Sequence, residues 1–154
     1  MKNRKSLLAT YIKIILVIAV IAVAIYGIIK MVNDGYNKEE FATIKTNMLL
    51  IQGKTEIIAQ KVDIKEKGAK YIGTEIKEKE NDTKIQNLIN NNVIDINSKN
   101  SNYYCLDNNN LKELELDINV DDYYIVDYKK NDVIYVNGIQ DQNGNMVYKL
   151  SDME

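Results

Sequence analysis

Apolar residues fall along this chain in three successive patterns: an unbroken run, a helical stripe and a two-residue alternation. The run comes first. Ile14 to Ile29 reads IILVIAVIAVAIYGII, with no charge. Extended back to Leu7, it takes in only Lys13. A membrane-crossing helix needs about 20 apolar residues, and a lysine near its end can reach up to the headgroups. Leu7, Ile14 and Ile29 therefore mark a predicted span over residues 7–30. A cleaved signal peptide is the weaker expectation, because its apolar region is usually only about 7–15 residues and no small-x-small site follows here.

The stripe follows. Phe41, Ile44, Met48, Ile51, Ile58 and Val62 recur at helical spacing, with Thr55 in the gap. The spacing predicts a helix over residues 31–62 whose packing face is Phe41, Ile44, Met48, Leu50, Ile51, Ile58 and Val62. Met48–Ile51 is four apolar residues in a row, which covers every side of a helical turn and calls for more than one packing partner. If residues 7–62 formed one straight helix it would be about 84 Å long at about 1.5 Å per residue. Asn33-Asp34-Gly35 would be its weak point, since glycine costs about 1 kcal/mol in a helix interior.

Residues 63–82 are charged and aperiodic, with a short extended piece at 70–76. Asp82 or Thr83 can cap a helix carrying Ile85, Leu88 and Ile89 on one face. Residues 102–106 read as a strand. Asn110 with Glu113 resembles a capping box for a further short helix. The alternation dominates the last third: Tyr123–Tyr128, Val133–Val136 and Met146–Leu150 are rich in β-branched and aromatic residues. Residues 129–132 and Asn143-Gly144 supply the turns, so an antiparallel meander is expected. Period two puts Tyr124, Val126 and Tyr128 on one face. A sheet core of Tyr124, Val126, Tyr135 and Tyr148 needs a cover, and the long helix is the available one. The expected class is α+β: a long N-terminal membrane-spanning helix packed on a small antiparallel sheet.

Charge sets the orientation. Lys2, Arg4, Lys5 and Lys13 precede or open the apolar run, and no acidic residue occurs before Asp34. Basic flanks stay cytoplasmic. The expected layout is a cytoplasmic basic stub (1–6), a single span in the cell membrane (7–30), an extracellular helix extension (31–62) and an extracellular C-terminal region (63–154) containing the sheet. The four basic residues carry +4 of a chain whose net charge is −2, so the remainder carries −6. Such a balance disfavours direct nucleic-acid contact. The lipid bilayer is the first expected partner.

The absences bound the chemistry. There is no His and one cysteine, Cys105. Histidine-based nucleophilic triads and structural zinc sites therefore lack their residues, and no intramolecular disulfide can form. No carboxylate pair stands out, so no catalytic residue, metal, cofactor or small-molecule substrate is expected. Asp141 to Asn145 (DQNGN) has oxygen side chains at alternate positions, as calcium loops do, but a hairpin turn on Asn-Gly is the simpler reading. Cys105, inside a strand pattern, reads as a small buried hydrophobe.

The stretches Lys45–Lys61, Tyr71–Ile76, Tyr103–Leu116, Asp122–Gly138 and Tyr148–Met153, taken with the apolar run, resemble divergent type IV pilin and type II secretion pseudopilin-like proteins of Gram-positive bacteria. The resemblance implies a structural or accessory subunit of a type IV pilus, type II secretion or competence-type apparatus. It implies other pilin-like subunits and an assembly platform as partners, and a place on a surface filament. The chain departs from the family pattern at its beginning. Lys5-Ser6-Leu7-Leu8-Ala9 has no Gly before the apolar run and no Glu within it. Retention of residues 1–6 and a minor or accessory role are therefore expected. A second reading is a bitopic scaffold protein that pairs through an extracellular coiled coil built on the Phe41–Val62 stripe.

Overall fold

The structure, a computed structural model, describes residues 12–22 and 36–153. The expected stub, the Leu7 and Ile29 ends of the predicted span, and Asn33-Asp34-Gly35 lie outside the described residues. Residues 12–22 are helical (α1), with Ile14 half-buried. Among the described residues no helix is long and apolar enough to cross a membrane.

Helix α2 (Tyr36–Asp63) realises the stripe. Glu39 in its first turn and Lys61 in its last complement the helix dipole. Helix α3 (Thr83–Asn90) starts at Asp82, whose carboxylate accepts from the Lys84 amide at 2.8 Å, and carries Ile85 and Leu88 inward. Helix α4 (Asn108–Glu113) has its cap at Asp107, three residues before the expected cap Asn110. Asp107 accepts from the amides of Asn109 and Asn110, and the Asn110 side chain accepts from the Asp107 amide in return. Asn110 thus closes the box rather than opening it, because the carboxylate at 107 satisfies two of the helix's unpaired amides at once.

Among the described residues, five strands follow one another across a single antiparallel sheet in the order β1 (Thr74–Glu75), β2 (Tyr103–Leu106), β3 (Tyr124–Asp127), β4 (Asp132–Gln140) and β5 (Met146–Lys149). The expected meander is β3-β4-β5, widened by two strands. Ile125 pairs with Ile134, and Tyr124 with Tyr135. At the tight β3–β4 turn, Asp127 is 1 % exposed, and its Oδ1 accepts from the amides of Asn102, Lys129 and Lys130. A carboxylate is held in the sheet because it organises the turn. The β4–β5 register shifts between Ile134 and Ile139. Gly138 lies there with φ +65, and a Cβ on it would come within 2.6 Å of the Tyr148 ring. Only glycine fits both the left-handed backbone and the overlying ring.

The sheet is covered on both faces. Tyr124, Val126, Tyr128 and Val133 face α2, with Leu111, Leu114, Leu150 and Met153 closing the sides. The reverse face buries Tyr103, Cys105, Tyr123, Ile125, Ile134 and Val136 under α3 and the 3-10 turn Ile76–Lys79. Tyr148 corrects an expectation. It packs with the reverse face rather than with Tyr124. Its neighbour Val147 pairs with Ile139 and packs on the α2 side, so alternation turns Tyr148 the other way.

Candidate functional site

Helix α2 carries the residues expected to pack, and the structure sorts them onto two sides. On the sheet side Met48 and Ile51 are 0 % exposed, among Tyr124 and Val126. Thr55 fills the gap in the stripe: it is buried and its hydroxyl donates to the Ile51 carbonyl at 2.9 Å. Phe41, Ile44, Leu50 and Ile58 pack partly buried around this centre, as does Tyr135, whose ring is 5.3 Å from that of Tyr124. Val62, half-buried in the last turn, is not part of that core. Polar bonds fix the register of helix on sheet. Gln52 donates to the Asn131 carbonyl at 2.7 Å, and Asn131 donates to Glu56 at 2.9 Å.

The other side of α2 has a different character. At 3.6 residues per turn, Thr46, Gly53, Ile57 and Gln60 run along the side turned away from Met48 and Ile51. Gly53 is buried there. A Cβ on it would collide with Ile21 Cδ1, with Ile21 Cγ1 at 3.4 Å and Val17 Cγ1 at 4.0 Å. Helix α1 therefore lies alongside α2. This corrects the expectation of one straight helix, in which residues 21 and 53 would be about 48 Å apart at about 1.5 Å per residue. The physical reason is the second apolar side of α2, which attracts an apolar helix of its own. One turn beyond Ile57, the Gln60 Oε1 is buried without a partner, while its Nε2 donates to Glu56 at 3.3 Å. The packing of α1 is one-sided. Ile12, Ile15, Leu16, Ile18 and Val20 remain 52–65 % exposed.

Neither Gly53 nor Gln60 was singled out by the apolar pattern, because neither is apolar. The available signal was a glycine in mid-helix, which costs about 1 kcal/mol unless a close approach requires it.

Reactive groups elsewhere are tied down. Burial pushes the Cys105 thiol up to about 11 against an ordinary 9.0; Lys79 opposes the shift and Asp82 adds to it. The Tyr128 hydroxyl donates to the Ile72 carbonyl at 2.9 Å and accepts from the Ile72 amide at 3.1 Å. Asp122 is held below the usual carboxylate range, first by its hydrogen bond with Lys84 and then by Asn137. Asp141 is held low as well, chiefly by backbone hydrogen bonding at Asn145; its Oδ1 accepts from the Asn143 and Asn145 amides at 2.8 and 2.9 Å, and its Oδ2 from the Asn145 side chain. Both carboxylate oxygens are thus engaged within the turn. Among the described residues no three His, Cys, Asp or Glu side chains converge as a metal would need.

Comparison with known protein families, with curated proteins and with solved structures finds no match to this chain.

Proposed function

We propose that this chain is a membrane-anchored, pilin-like accessory subunit of a type IV pilus, type II secretion or competence-type apparatus, acting by assembly rather than by catalysis. The observation that carries the reading is the seating of α2 across the antiparallel sheet. Met48 and Ile51 are sealed between helix and strands, and the chain N-terminal to α2 holds the uncharged run Ile14–Ile29. Helix α2 thereby holds the folded body, and the apolar run precedes it directly in the sequence. That mechanical link is what a subunit needs if its body is to be carried by a helix among other helices. The second, Gly53-centred side of α2 supports the same reading, since the helix retains apolar surface beyond what the sheet uses. The missing Gly and Glu before and within the apolar run favour an accessory over a bulk filament subunit: without the acidic residue no buried charge pair helps dock the helix in lipid.

The test is in-cell crosslinking of an affinity-tagged full-length chain, followed by mass spectrometry of the membrane and sheared-surface fractions. Co-recovery of other apolar-helix subunits and a polytopic platform protein is expected. Co-recovery of division or wall-synthesis proteins alone would overturn the proposal.

A further inference from the structure

We propose that the cavity between the 3-10 turn Ile76–Lys79, the loop 96–102 and the β3–β4 turn binds a small phosphate monoester on a hydroxyl-bearing carbon body, a sugar or polyol phosphate, held rather than transformed. The proposal stands apart from the anchored reading, because every wall of the cavity belongs to the folded body.

The cavity has a volume of about 390 Å³. That falls in the range of about 300–1,000 Å³ usual for small-molecule sites. Its charge sets it off from the rest of the chain. Lys77, Lys99 and Lys129 reach it from three different segments, and Glu75 is the single carboxylate in its lining. The lining therefore carries +2, whereas the whole chain carries −2. Among the described residues no ion pair neutralises any of these three lysines, although Lys54, Lys61 and Lys84 all find carboxylates. A phosphate monoester carries about −1.5 to −2 at pH 7 and matches that surplus. A lone carboxylate would leave half of it uncompensated. Lysine suits such an anion, since its ammonium is a compact point charge with three donors on a flexible stem.

The walls are fixed before any ligand arrives. Buried Asp127 accepts through Oδ1 from the amides of Asn102 and Lys129, which pins the loop and the turn to each other. The Lys129 Nζ donates to the Lys99 carbonyl at 2.6 Å, so the two segments are tied a second time. That bond uses one of the three ammonium donors and leaves two. Ser101 belongs to the lining, and its Oγ is buried without a partner. A buried hydroxyl in that state calls for a bound oxygen to complete it. The amides of Asn97 and Asn102 add neutral donors and acceptors to the lining. Such groups recognise hydroxyls, which is why a sugar or polyol phosphate fits better than phosphate alone. The lining holds no histidine or cysteine that could attack the ester, so the ligand is bound and released intact.

The experiment titrates the purified full-length chain, in neutral detergent at physiological salt, with glucose 6-phosphate, inorganic phosphate or glucose by calorimetry. Saturable one-to-one binding of glucose 6-phosphate is expected at a Kd of about 0.1–1 mM, with inorganic phosphate weaker by about threefold or more and glucose not binding. Lys77→Gln and Lys99→Gln should each weaken binding about tenfold, as loss of a charged hydrogen bond does. Neither change touches the Lys99 carbonyl that Lys129 holds. Lys112→Gln, on the exposed side of α4, should leave the affinity unchanged. A second readout needs no substitution. Glucose 6-phosphate should protect Lys77, Lys99 and Lys129 of the unsubstituted chain from an amine-acetylating reagent, read by mass spectrometry, and should leave Lys112 as reactive as before. Absence of saturable binding up to about 20 mM, equal affinity in all three variants, or protection spread evenly over the lysines would each overturn the proposal. A short-chain phosphatidic acid that binds as tightly as glucose 6-phosphate, or more tightly, would reassign the cavity to a lipid headgroup and overturn it as well.

Discussion

Cys105 and Tyr128 are acids that the fold keeps protonated. The thiol is pushed from 9.0 up to about 11, and the Tyr128 phenol from 10.0 up to about 12, in both cases chiefly by burial. The folded chain then binds these protons more tightly than the unfolded chain does. Their contribution to stability is complete below the unfolded values and is lost as pH rises through the folded ones. Melting temperature should therefore be flat between about pH 7 and 8.5 and should fall above about pH 9, first through Cys105 and then through Tyr128 together with the likewise raised Tyr123 and Tyr124. Cys105→Ala should remove the early part of that decline. At pH 8 a thiol reagent should leave the folded chain unmodified and titrate one thiol in denaturant; fast labelling of the native protein would refute the burial of this side chain. The hydrophobic reading of Cys105 was legible, since it sits between Tyr104 and Leu106 in a stretch that reads as a strand. The burial of Asp127 was not, because a carboxylate holding three amides depends on where Asn102 arrives from another part of the chain.

Elements were legible in proportion to their length. The 28 residues of α2 carry their stripe openly, and Met48, Ile51, Tyr124 and Val126 meet as their periods require. The two-residue β1 has no period to read. The cover on the reverse face was missed because α3 contributes only two fully buried residues, and its role emerges only once Ile85 and Leu88 meet Ile125 and Ile134. Two substitutions probe this scale. Ile51→Ala should cost about 2–5 kcal/mol, as loss of a fully enclosed side chain usually does, with a corresponding fall in denaturation midpoint. An unchanged midpoint would place α2 elsewhere than on the sheet. Asp107→Ala should cost about 1 kcal/mol by stripping α4 of its cap, whereas Glu113→Ala should be nearly neutral. Equal effects would restore the later capping box that the sequence suggested.

At the scale of the whole molecule the decisive quantity is the apolar surface that α1 leaves uncovered. Docked on α2, it still exposes more than half of each of five large aliphatic side chains. Their number and adjacency exceed what isolated surface residues explain, and contiguous apolar area of this kind marks a protein or lipid contact. The side-by-side placement of α1 and α2 was not legible, because an apolar run is equally compatible with lipid and with a protein face. Lipid accommodates all sides of the run Ile14–Ile29, whereas α2 accommodates one. The full-length chain should therefore remain in the membrane pellet after alkaline carbonate extraction at about pH 11. That condition discriminates because it detaches proteins held only through surface contacts and leaves an apolar helix seated in hydrocarbon. A chain held only through the folded surface of α2 would come away. Extraction into the supernatant, with the protein recovered as intact monomer, would show that α1 belongs on α2 and not in the bilayer.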